Sequence, residues 1–515
     1  MNQQRRLVLN VVSSLLQVVI STLLLLVLYR YLVDSVGVEG LGIWSLVLAI
    51  GSATQIANLG LPGAITRFVA GYQAQGLDER VRVSVETSAV SIAVFGALLT
   101  LLAFPLGQQY LHFAMPVHLQ AEALQILPVA LAAFWLSMYS STFQSALMGL
   151  ERYAEANAVL IADSVLQLLL CVLLVPAHGL MGLVLARLAC NVVTLVLTVG
   201  LTRRYLPGLP WISVRWSRAE FREMVGYAGG MQLIALLVMF ADPVTKGLLG
   251  RFGSLTAVGY YEMADKLIKS LRALLVSANQ VMLPKFAVIA PDERDRERQL
   301  FQESQKLNSF FAVPAFALLI LVAPLVSVIW LGQQEEFFIV ALEILGVGWL
   351  INVLALPTYF ATLGAGEVWA NVISHLVLAI ANVALGWMLG AWLGASGVVL
   401  GWALALIVSS IVLVVGFSQR RRLAASLIFP ESQRVLAAFS LLAVGVALSL
   451  HLSGSTLGSS AAAGSLSLRY WFVMGSFVVA ILVAAYRNEA RAEILSSLAK
   501  VIGRSVKGGP VQPVV

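Results

Sequence analysis

The sequence predicts an all-α integral membrane protein with about fourteen transmembrane helices, and three observations support this prediction. The chain of 515 residues is 59% hydrophobic, with a mean hydropathy of +0.89. Charged residues make up 11% of it, less than half of the roughly 25% that is usual in soluble domains. Apolar runs of about 20 residues, long enough to cross a bilayer, recur along the chain. Because these runs are continuous and do not alternate with polar residues, they indicate helices and not barrel strands.

The first apolar run follows the basic start "MNQQRR". It is too long for the apolar region of a signal peptide, and no small-residue cleavage site follows it. We therefore assign it as the first span. The fourteen predicted spans lie near 8–32, 41–65, 85–108, 123–148, 157–176, 180–202, 224–249, 255–284, 308–331, 338–363, 368–392, 395–418, 434–452 and 468–486.

The distribution of basic residues orients these spans, because Lys and Arg concentrate in cytoplasmic loops of membrane proteins. With both termini on the cytoplasmic side, 25 of the 33 Lys and Arg residues fall in cytoplasmic segments, three at the outer side and five within spans. The net charge of +7 is therefore a signal of topology. A nucleic-acid-binding surface would instead gather the basic residues on one domain face, so we expect no nucleic-acid partner.

Two six-helix segments of the chain resemble each other, which is the signature of an internal repeat. Gly179 and Gly182 correspond to Gly394 and Gly397, at an offset of 215 residues. Four further matches fall in order at offsets between 214 and 222: Gly42 with Gly259, Asn157 with Asn371, Arg203 with Arg420, and Pro62 with Pro284.

The repeat predicts a domain organisation. Since six helices are an even number, both copies cross the membrane in the same direction. They are then related by a pseudo-two-fold axis along the membrane normal, with a binding site between them. The predicted parts are an N-lobe at 1–205, a cytoplasmic linker at 206–222, a C-lobe at 223–422, two additional C-terminal helices within 430–487, and a cytoplasmic amphipathic tail at 488–515.

The stretch "YYEMADKLIKSLR" carries five charges inside predicted span eight: Glu262, Asp265, Lys266, Lys269 and Arg272. At about 100° per residue, all five lie within an arc of roughly 120°. Charges inside a membrane mark substrate or ion pathways. We therefore predict that the three basic residues bind substrate and that the two acids are candidates for ion coupling. The alternative is a structural ladder of i,i+4 ion pairs, in which Arg272 has no acidic residue one turn away.

Neighbouring spans supply further candidates. Asp242 and Lys246 form another i,i+4 pair in span seven, and the repeat places Arg30 opposite Lys246 at an offset of 216. Lys246, Arg30 and Arg187 are additional substrate-binding candidates, and Asp242 and Asp163 are additional coupling candidates. Two structural alternatives stay open, because Arg30 can extend to the membrane surface and Asp163 can pair with Arg187 from the adjacent span. The other ionisable residues within predicted spans include Glu343, His375 and His451.

The sequence offers little enzyme chemistry. It contains no metal-spaced His/Cys cluster, no Walker loop and no G-x-S-x-G motif. Cys171 and Cys190 both fall inside spans and imply no disulfide framework. We therefore expect no catalytic residues, no metal and no cofactor.

Four stretches resemble one family of proteins: "LYRYLVDSVGVEGLGIWSLVLAI", "NLGLPGAITRFVA", "ALMGLERYAEAN" and "AVGYYEMADKLIKSLRALLVSANQVMLPKF". They are similar to polysaccharide-biosynthesis flippases of the multidrug/oligosaccharidyl-lipid/polysaccharide exporter superfamily. The resemblance covers roughly 1–422. It implies a bacterial inner-membrane protein whose two lobes form a V. It also implies a function, the movement of undecaprenyl-pyrophosphate-linked oligosaccharide units from the cytoplasmic to the periplasmic leaflet.

The partners implied by this resemblance are a polyprenyl-pyrophosphate-linked glycan and the lipid bilayer. A polysaccharide polymerase and a chain-length regulator are further candidates. Two alternatives stay open. A drug/cation antiporter of the same superfamily would prefer an acidic cavity and twelve spans. A membrane-bound polysaccharide polymerase or ligase would need a sizeable outer loop that carries catalytic residues.

The predicted topology can be tested by cysteine labelling from outside the cell. A cysteine at Ser455, in the predicted periplasmic loop, should react with a membrane-impermeant reagent. A cysteine at Ser432, on the predicted cytoplasmic side, should react only after the cells are permeabilised. Labelling of both positions from outside, or the reverse pattern, would refute the assignment of spans.

Overall fold

A computed structural model describes residues 3–54, 60–280, 282–287, 289, 293–422, seven positions between 434 and 445, and 468–487. Regular structure in this part of the chain is helical, without strands. The helices are α1 Gln3–Ala53, α2 Leu61–Ala74, α3 Asp78–Ala114, α4 Val117–Gly149, α5 Tyr153–Tyr205, α6 Arg218–Met239, α7 Ala241–Phe252, α8 Leu255–Gln280, α9 Leu283–Ala287, α10 Arg294–Leu321, α11 Ala323–Leu331, α12 Glu336–Leu354, α13 Leu356–Gly364, α14 Val368–Arg421 and α15 Leu468–Arg487.

Within the described residues, seven helical segments are long and apolar enough to cross a membrane. The chain is therefore a multi-pass membrane protein. Three helices exceed the length of one crossing, because α1, α5 and α14 contain 51, 53 and 54 residues. At 1.5 Å per residue such helices would extend about 80 Å, compared with a hydrocarbon core of about 30 Å. Each of them is interrupted by one glycine with non-helical backbone angles.

In α5 the interruption reverses the chain. Gly179 has φ 55° and ψ −132°, a conformation that L-residues with a side chain rarely adopt. Arg187 Nη1 lies 3.0 Å from Asp163 Oδ2, although 24 residues of straight helix would span about 36 Å. A Cβ at Gly182 would lie 2.3 Å from the carbonyl oxygen of Leu174. Helix α5 is therefore a tight helical hairpin that contains the predicted spans five and six.

Helix α14 repeats this geometry. Gly394 has φ 62° and ψ −142°, close to the angles of the break in α5. A Cβ at Gly397 would lie 2.0 Å from the carbonyl oxygen of Leu389. Leu389 and Gly397 stand 215 residues after Leu174 and Gly182, so the same close approach recurs at the offset that the sequence comparison identified.

Helices α1 and α8 make a reciprocal contact. A Cβ at Gly42 would lie 1.9 Å from the carbonyl oxygen of Leu255, and a Cβ at Gly259 would lie 2.3 Å from that of Val38. Both glycines, and both carbonyls, are separated by 217 residues. Gly42 contacts Leu255, and its repeat equivalent Gly259 contacts Val38, which is the repeat equivalent of Leu255. Such a reciprocal contact is expected when two copies are related by a two-fold axis. Glycine is required on both sides because the backbones touch.

Several predicted spans are divided in the structure. Helix α1 ends at Ala53 and α2 begins at Leu61, after Gly60 with φ 69°, so the predicted span 41–65 is not one continuous helix. Predicted spans seven, nine and ten each consist of two helices. A proline in the first turn of the second helix accounts for the divisions, because it has no N–H to continue the preceding hydrogen-bond ladder. These prolines are Pro243 in α7, Pro324 in α11 and Pro357 in α13.

The chain packs as two compact units. The first comprises Val12–Ser270 and Asn371–Ser409, and the second comprises Leu271–Ala370 with the start of α1 and the described residues from Ser410 onward. The predicted boundaries of the lobes and linker stay a prediction. Helix α15 lies at predicted span fourteen, and most of span thirteen, the loop after it, His451 and the tail lie outside the described residues.

In the first unit, residues of the predicted linker are fixed to α2 and α3 through Glu220. Its carboxylate accepts hydrogen bonds from Arg80 at 2.8 Å, Ser84 at 3.0 Å and Tyr72 at 3.3 Å. Burial, reinforced by the negative charge of Glu220, raises the pKa of Tyr72 to about 12. The start of α6 is therefore held against the helices that precede it.

The hairpin in α5 can be tested with alanine substitutions. Gly179→Ala should cost about 1–3 kcal/mol through backbone strain, and Gly182→Ala a similar amount through overpacking against a backbone carbonyl. Gly200→Ala is the matched control in the same helix, because its nearest neighbour is a side-chain atom at 3.7 Å. Melting temperatures of the purified variants in detergent measure these effects. Equal melting temperatures for all three variants would contradict the hairpin geometry.

Candidate functional site

Six charged side chains of α7 and α8 meet within the first unit, and we refer to them as the ion cluster. In each helix, i,i+4 spacing places these charges on one face. All six are candidates from the sequence alone, and the structure brings them together. The members are Asp242 and Lys246 of α7, and Glu262, Asp265, Lys266 and Lys269 of α8.

Lys246 is the centre of the cluster. Its Nζ lies 2.7 Å from Asp242 Oδ2 and 2.7 Å from Glu262 Oε2, and its side chain is 3% exposed. An ammonium group this deeply buried needs carboxylate partners to offset the loss of hydration. Because Lys246 lies between two acids and is almost fully buried, its charge has a structural role. Little of its surface is left to contact a substrate.

Glu262 is the acid with most partners. It is 0% exposed and also lies 3.5 Å from Lys266. Tyr29 donates a hydrogen bond to Oε1 at 3.1 Å, and Ser45 donates one to Oε2 at 2.8 Å. Since Tyr29 and Ser45 lie on either side of the break at Gly37, the folding of α1 at that glycine completes the site.

Tyr29 and Ser45 were not predicted, yet the repeat contains a signal for both. Ser45 and Glu262 are 217 residues apart, the same offset as in the reciprocal glycine contact. A residue that touches its own repeat equivalent lies on the two-fold axis. The same offset pairs Lys246 with Tyr29, and not with Arg30 as the offset of 216 suggested.

Lys266 and Lys269 form the accessible side of the ion cluster, with side chains 38% and 40% exposed. Lys269 Nζ lies 2.6 Å from Asp265 Oδ2 and 3.2 Å from Asp242 Oδ1. Three lysines and three acids make the cluster neutral. Glu262 and Asp265 are buried and Asp242 is 24% exposed, so the two lysine side chains are the most exposed part of the cluster and give its accessible side a positive character.

Arg272 follows on α8 but belongs to the second unit. Its guanidinium carbon lies 4.8 Å from the centroid of the Trp349 ring, a cation–π contact. Its Nε is buried without a hydrogen-bond partner among the described residues, and it forms no ion pair with them. The excess positive charge that the sequence places on this helix therefore rests on Arg272.

The remaining candidates form separate pairs in the first unit. Arg187 and Asp163 lie 3.0 Å apart across the α5 hairpin, and Thr194 donates a 2.9 Å hydrogen bond to Asp163. Arg30 lies 3.2 Å from Asp34, with side chains 40% and 57% exposed. An exposed pair of this kind contributes at most about 1 kcal/mol. These contacts favour structural roles for both pairs.

The face of α7 opposite the ion cluster borders an apolar cavity of about 610 Å³. Tyr110 spans part of it and donates a 2.8 Å hydrogen bond to the carbonyl of Pro243. Apolar side chains of α3, α7 and α14 form most of the wall. The described residues contain no group of three or more side chains that could hold a metal ion.

Comparison with known proteins identifies the family. The profile of a family described as polysaccharide biosynthesis protein matches residues 73–337. A Shigella flexneri protein named "Putative O-antigen transporter" is 21% identical over 422 residues, which is 78% of this chain and 96% of that protein.

Solved structures show the same fold. An inward-facing MATE family transporter of the MOP superfamily aligns with a TM-score of 0.66 at 16% identity, covering 80% of this chain and 96% of its own. The lipid II flippase MurJ, in an inward closed conformation, aligns with a TM-score of 0.70 at 10% identity, covering 93% and 98%. A MOP superfamily transporter from Pyrococcus furiosus aligns at 0.59 with 16% identity, covering 83% and 97%. The chain therefore has the fold of MOP-superfamily transporters.

The different environments of two lysines give a stability prediction. Lys246→Met should destabilise the protein by about 3–5 kcal/mol, because it removes the nearest cation from the buried Glu262 and from Asp242. Lys266→Met is the matched control and should cost less than about 1 kcal/mol, since its side chain is partly exposed and makes one longer contact. Thermal unfolding of both variants in detergent measures the difference. Equal losses would show that Lys246 does not hold the cluster together.

Proposed function

The chain belongs to the polysaccharide biosynthesis protein family, and from that premise we propose that it is a flippase for lipid-linked oligosaccharides. In this proposal it moves undecaprenyl-pyrophosphate-linked repeat units from the cytoplasmic to the periplasmic leaflet, for assembly of a surface polysaccharide. The activity is transport and not catalysis. The observation that carries the proposal is the pair of partly exposed lysines, Lys266 and Lys269, supported from behind by buried acids at membrane depth.

A lipid pyrophosphate is a compact anion, and charge-assisted hydrogen bonds to its oxygens are strong. Lys266 and Lys269 offer ammonium groups whose carboxylate partners fix their position. Arg272 adds a guanidinium group with an unsatisfied donor, which suits the bidentate recognition of a phosphate. A substrate anion at Lys266 and Lys269 would therefore share these cations with the acids of the cluster. At Arg272, in the second unit, an anion would supply the missing countercharge.

The finer architecture belongs to the same proposal. We infer fourteen spans in the bacterial inner membrane, both termini in the cytoplasm, and two six-helix lobes in a V that alternate access to a site near their pseudo-two-fold axis. The contacts of Gly42, Gly259 and Ser45 at an offset of 217 support this symmetry. A polysaccharide polymerase and a chain-length regulator remain proposed partners.

A drug/cation antiporter of the same superfamily is the second candidate. The three acids of the ion cluster favour it, since carboxylates can bind a cationic substrate or a coupling ion. However, each predicted coupling acid has a basic partner within 3.5 Å: Asp163 with Arg187, Asp242 with Lys246, Glu262 with Lys246, and Asp265 with Lys269. A cation would have to displace these partners, which favours an anionic substrate.

The substrate class can be tested in a null mutant of the native host. We expect a polyprenyl-pyrophosphate-linked oligosaccharide to accumulate in its inner membrane, and mass spectrometry of the extracted lipids should identify it. Restored surface polysaccharide on complementation with the intact chain is the control. A null mutant with normal polysaccharide and no accumulated lipid intermediate would contradict the proposed function.

The role of the basic residues can be tested in the same host. The double variant Lys269→Ala with Arg272→Ala should abolish export while the protein still inserts and folds. Arg272→Lys should restore only part of the activity, because lysine lacks the bidentate fork. Asp265→Asn with Lys269→Gln separates structure from binding. A purely structural pair predicts that this neutral replacement keeps both stability and export, whereas a substrate-binding Lys269 predicts a stable protein with reduced export.

A further inference from the structure

Glu343 is a carboxyl group inside a membrane span that has no counterion among the described residues. It lies in α12 of the second unit and is 2% exposed. Its Oε1 is buried and has no hydrogen-bond partner among the described residues, and no described basic residue forms an ion pair with it. Ionisable groups at membrane depth are costly and mark functional sites by default. The proposed substrate site gives Glu343 no role.

The described helices that pack against α12 place no charged side chain near Glu343. Gly346 packs against Ile320, and Asn308 donates a 2.8 Å hydrogen bond to the carbonyl of Val353, so α12 runs antiparallel to α10. This register places Glu343 beside the junction of α10 and α11. The preceding charged residue on α10 is Lys306, which lies 14 residues before Ile320, about 21 Å along the helix.

Helices α11, α13 and α15 likewise place no charged side chain near Glu343 among the described residues. The buried residues of α11 and α13 include no charged side chain. Tyr359 is the titratable residue of α13, and α15 carries charged residues only near its two ends. On α12 itself, Glu336 is exposed at the first turn, two turns before Glu343. Ser327 of α11 is already hydrogen-bonded to Gln333 and Glu335.

An ionised carboxylate in these surroundings would lose its hydration and gain no partner, at a cost of several kcal/mol. A bound proton removes that cost with no further ligand. A hard metal cation would require several oxygen ligands, and the buried faces around Glu343 are largely apolar. The four acids that the sequence analysis selected for coupling differ, because basic residues already neutralise them.

We propose that Glu343 is a proton-binding site, which carries a proton in this conformation and exchanges it when a conformational change exposes α12 to water. The evidence for proton binding is the burial and surroundings of Glu343 alone. Its use to couple a proton gradient to glycan movement rests on the proposed function.

Infrared spectroscopy of the full-length protein in lipid bilayers tests proton binding without any substrate. At neutral pH we expect the carbonyl stretch of a protonated carboxyl group, shifted by D2O and lost in Glu343→Gln. Asp163→Asn is the matched control and should retain the band, since Asp163 is paired with Arg187. If Glu343→Gln does not fold, Glu343→Met removes the same carboxyl group with an apolar side chain of similar size.

Identical carboxyl bands in the wild type and in a folded Glu343 variant would overturn the proposal. Loss of the wild-type band on addition of sodium at constant ionic strength would also overturn it, by assigning the site to a metal cation. Coupling is tested separately in cells, where export by Glu343→Gln should no longer respond to collapse of the pH gradient. An unchanged response would refute coupling, and a null mutant without a lipid-linked intermediate would refute the proposed function while leaving the infrared result intact.

Discussion

The structure of the first unit depends on one constraint, that charges buried within the protein must be neutralised by other protein groups. Lys246 meets this constraint for two helices at once, because it bonds an acid one turn away on α7 and another on α8. Glu262 also connects these two helices to α1, because Tyr29 and Ser45 of α1 donate hydrogen bonds to its carboxylate. Three helices are thus joined by one buried network. Removal of the central Lys246 would take the nearest cation from both Asp242 and Glu262, so the network depends on this one lysine.

Glycine provides the second constraint, since the network forms only where backbones approach closely. The reciprocal contacts of Gly42 and Gly259 bring α1 against α8 and so place Ser45 beside Glu262. The breaks at Gly179 and Gly394 turn two long helices into hairpins with nearly equal angles. The two copies of the repeat therefore share the same backbone geometry at these glycines. The six residues of the ion cluster, in contrast, all belong to the second copy, where α7 and α8 lie.

Much of this could be predicted from the sequence because the decisive signals are local. Helical spacing placed the charges of α8 on one face, and the offset of the glycines revealed the repeat. Tyr29 and Ser45 could not be predicted, since their hydrogen bonds to Glu262 reach across 233 and 217 residues. The divided spans were missed because hydropathy does not register a helix break at a proline when both halves are apolar. The sequence prediction paired Arg30 with Lys246 at an offset of 216, whereas the contacts in the structure follow an offset of 217.

The ion cluster also shows how a neutral site can present a positive surface. Glu262 and Asp265 are buried, Asp242 is 24% exposed, and the two outer lysines are more exposed than any of these acids, so the charges cancel in sum but not at the surface. In the proposed function, the carboxylates would hold the ammonium groups in place before a substrate anion arrives, which would lower the ordering cost of binding. They would also compete with that anion, which would keep binding reversible, as a transporter requires. Glu343 is subject to the same constraint. Because it has no basic partner among the described residues, we infer that a mobile cation neutralises its charge, and a proton is the smallest such cation.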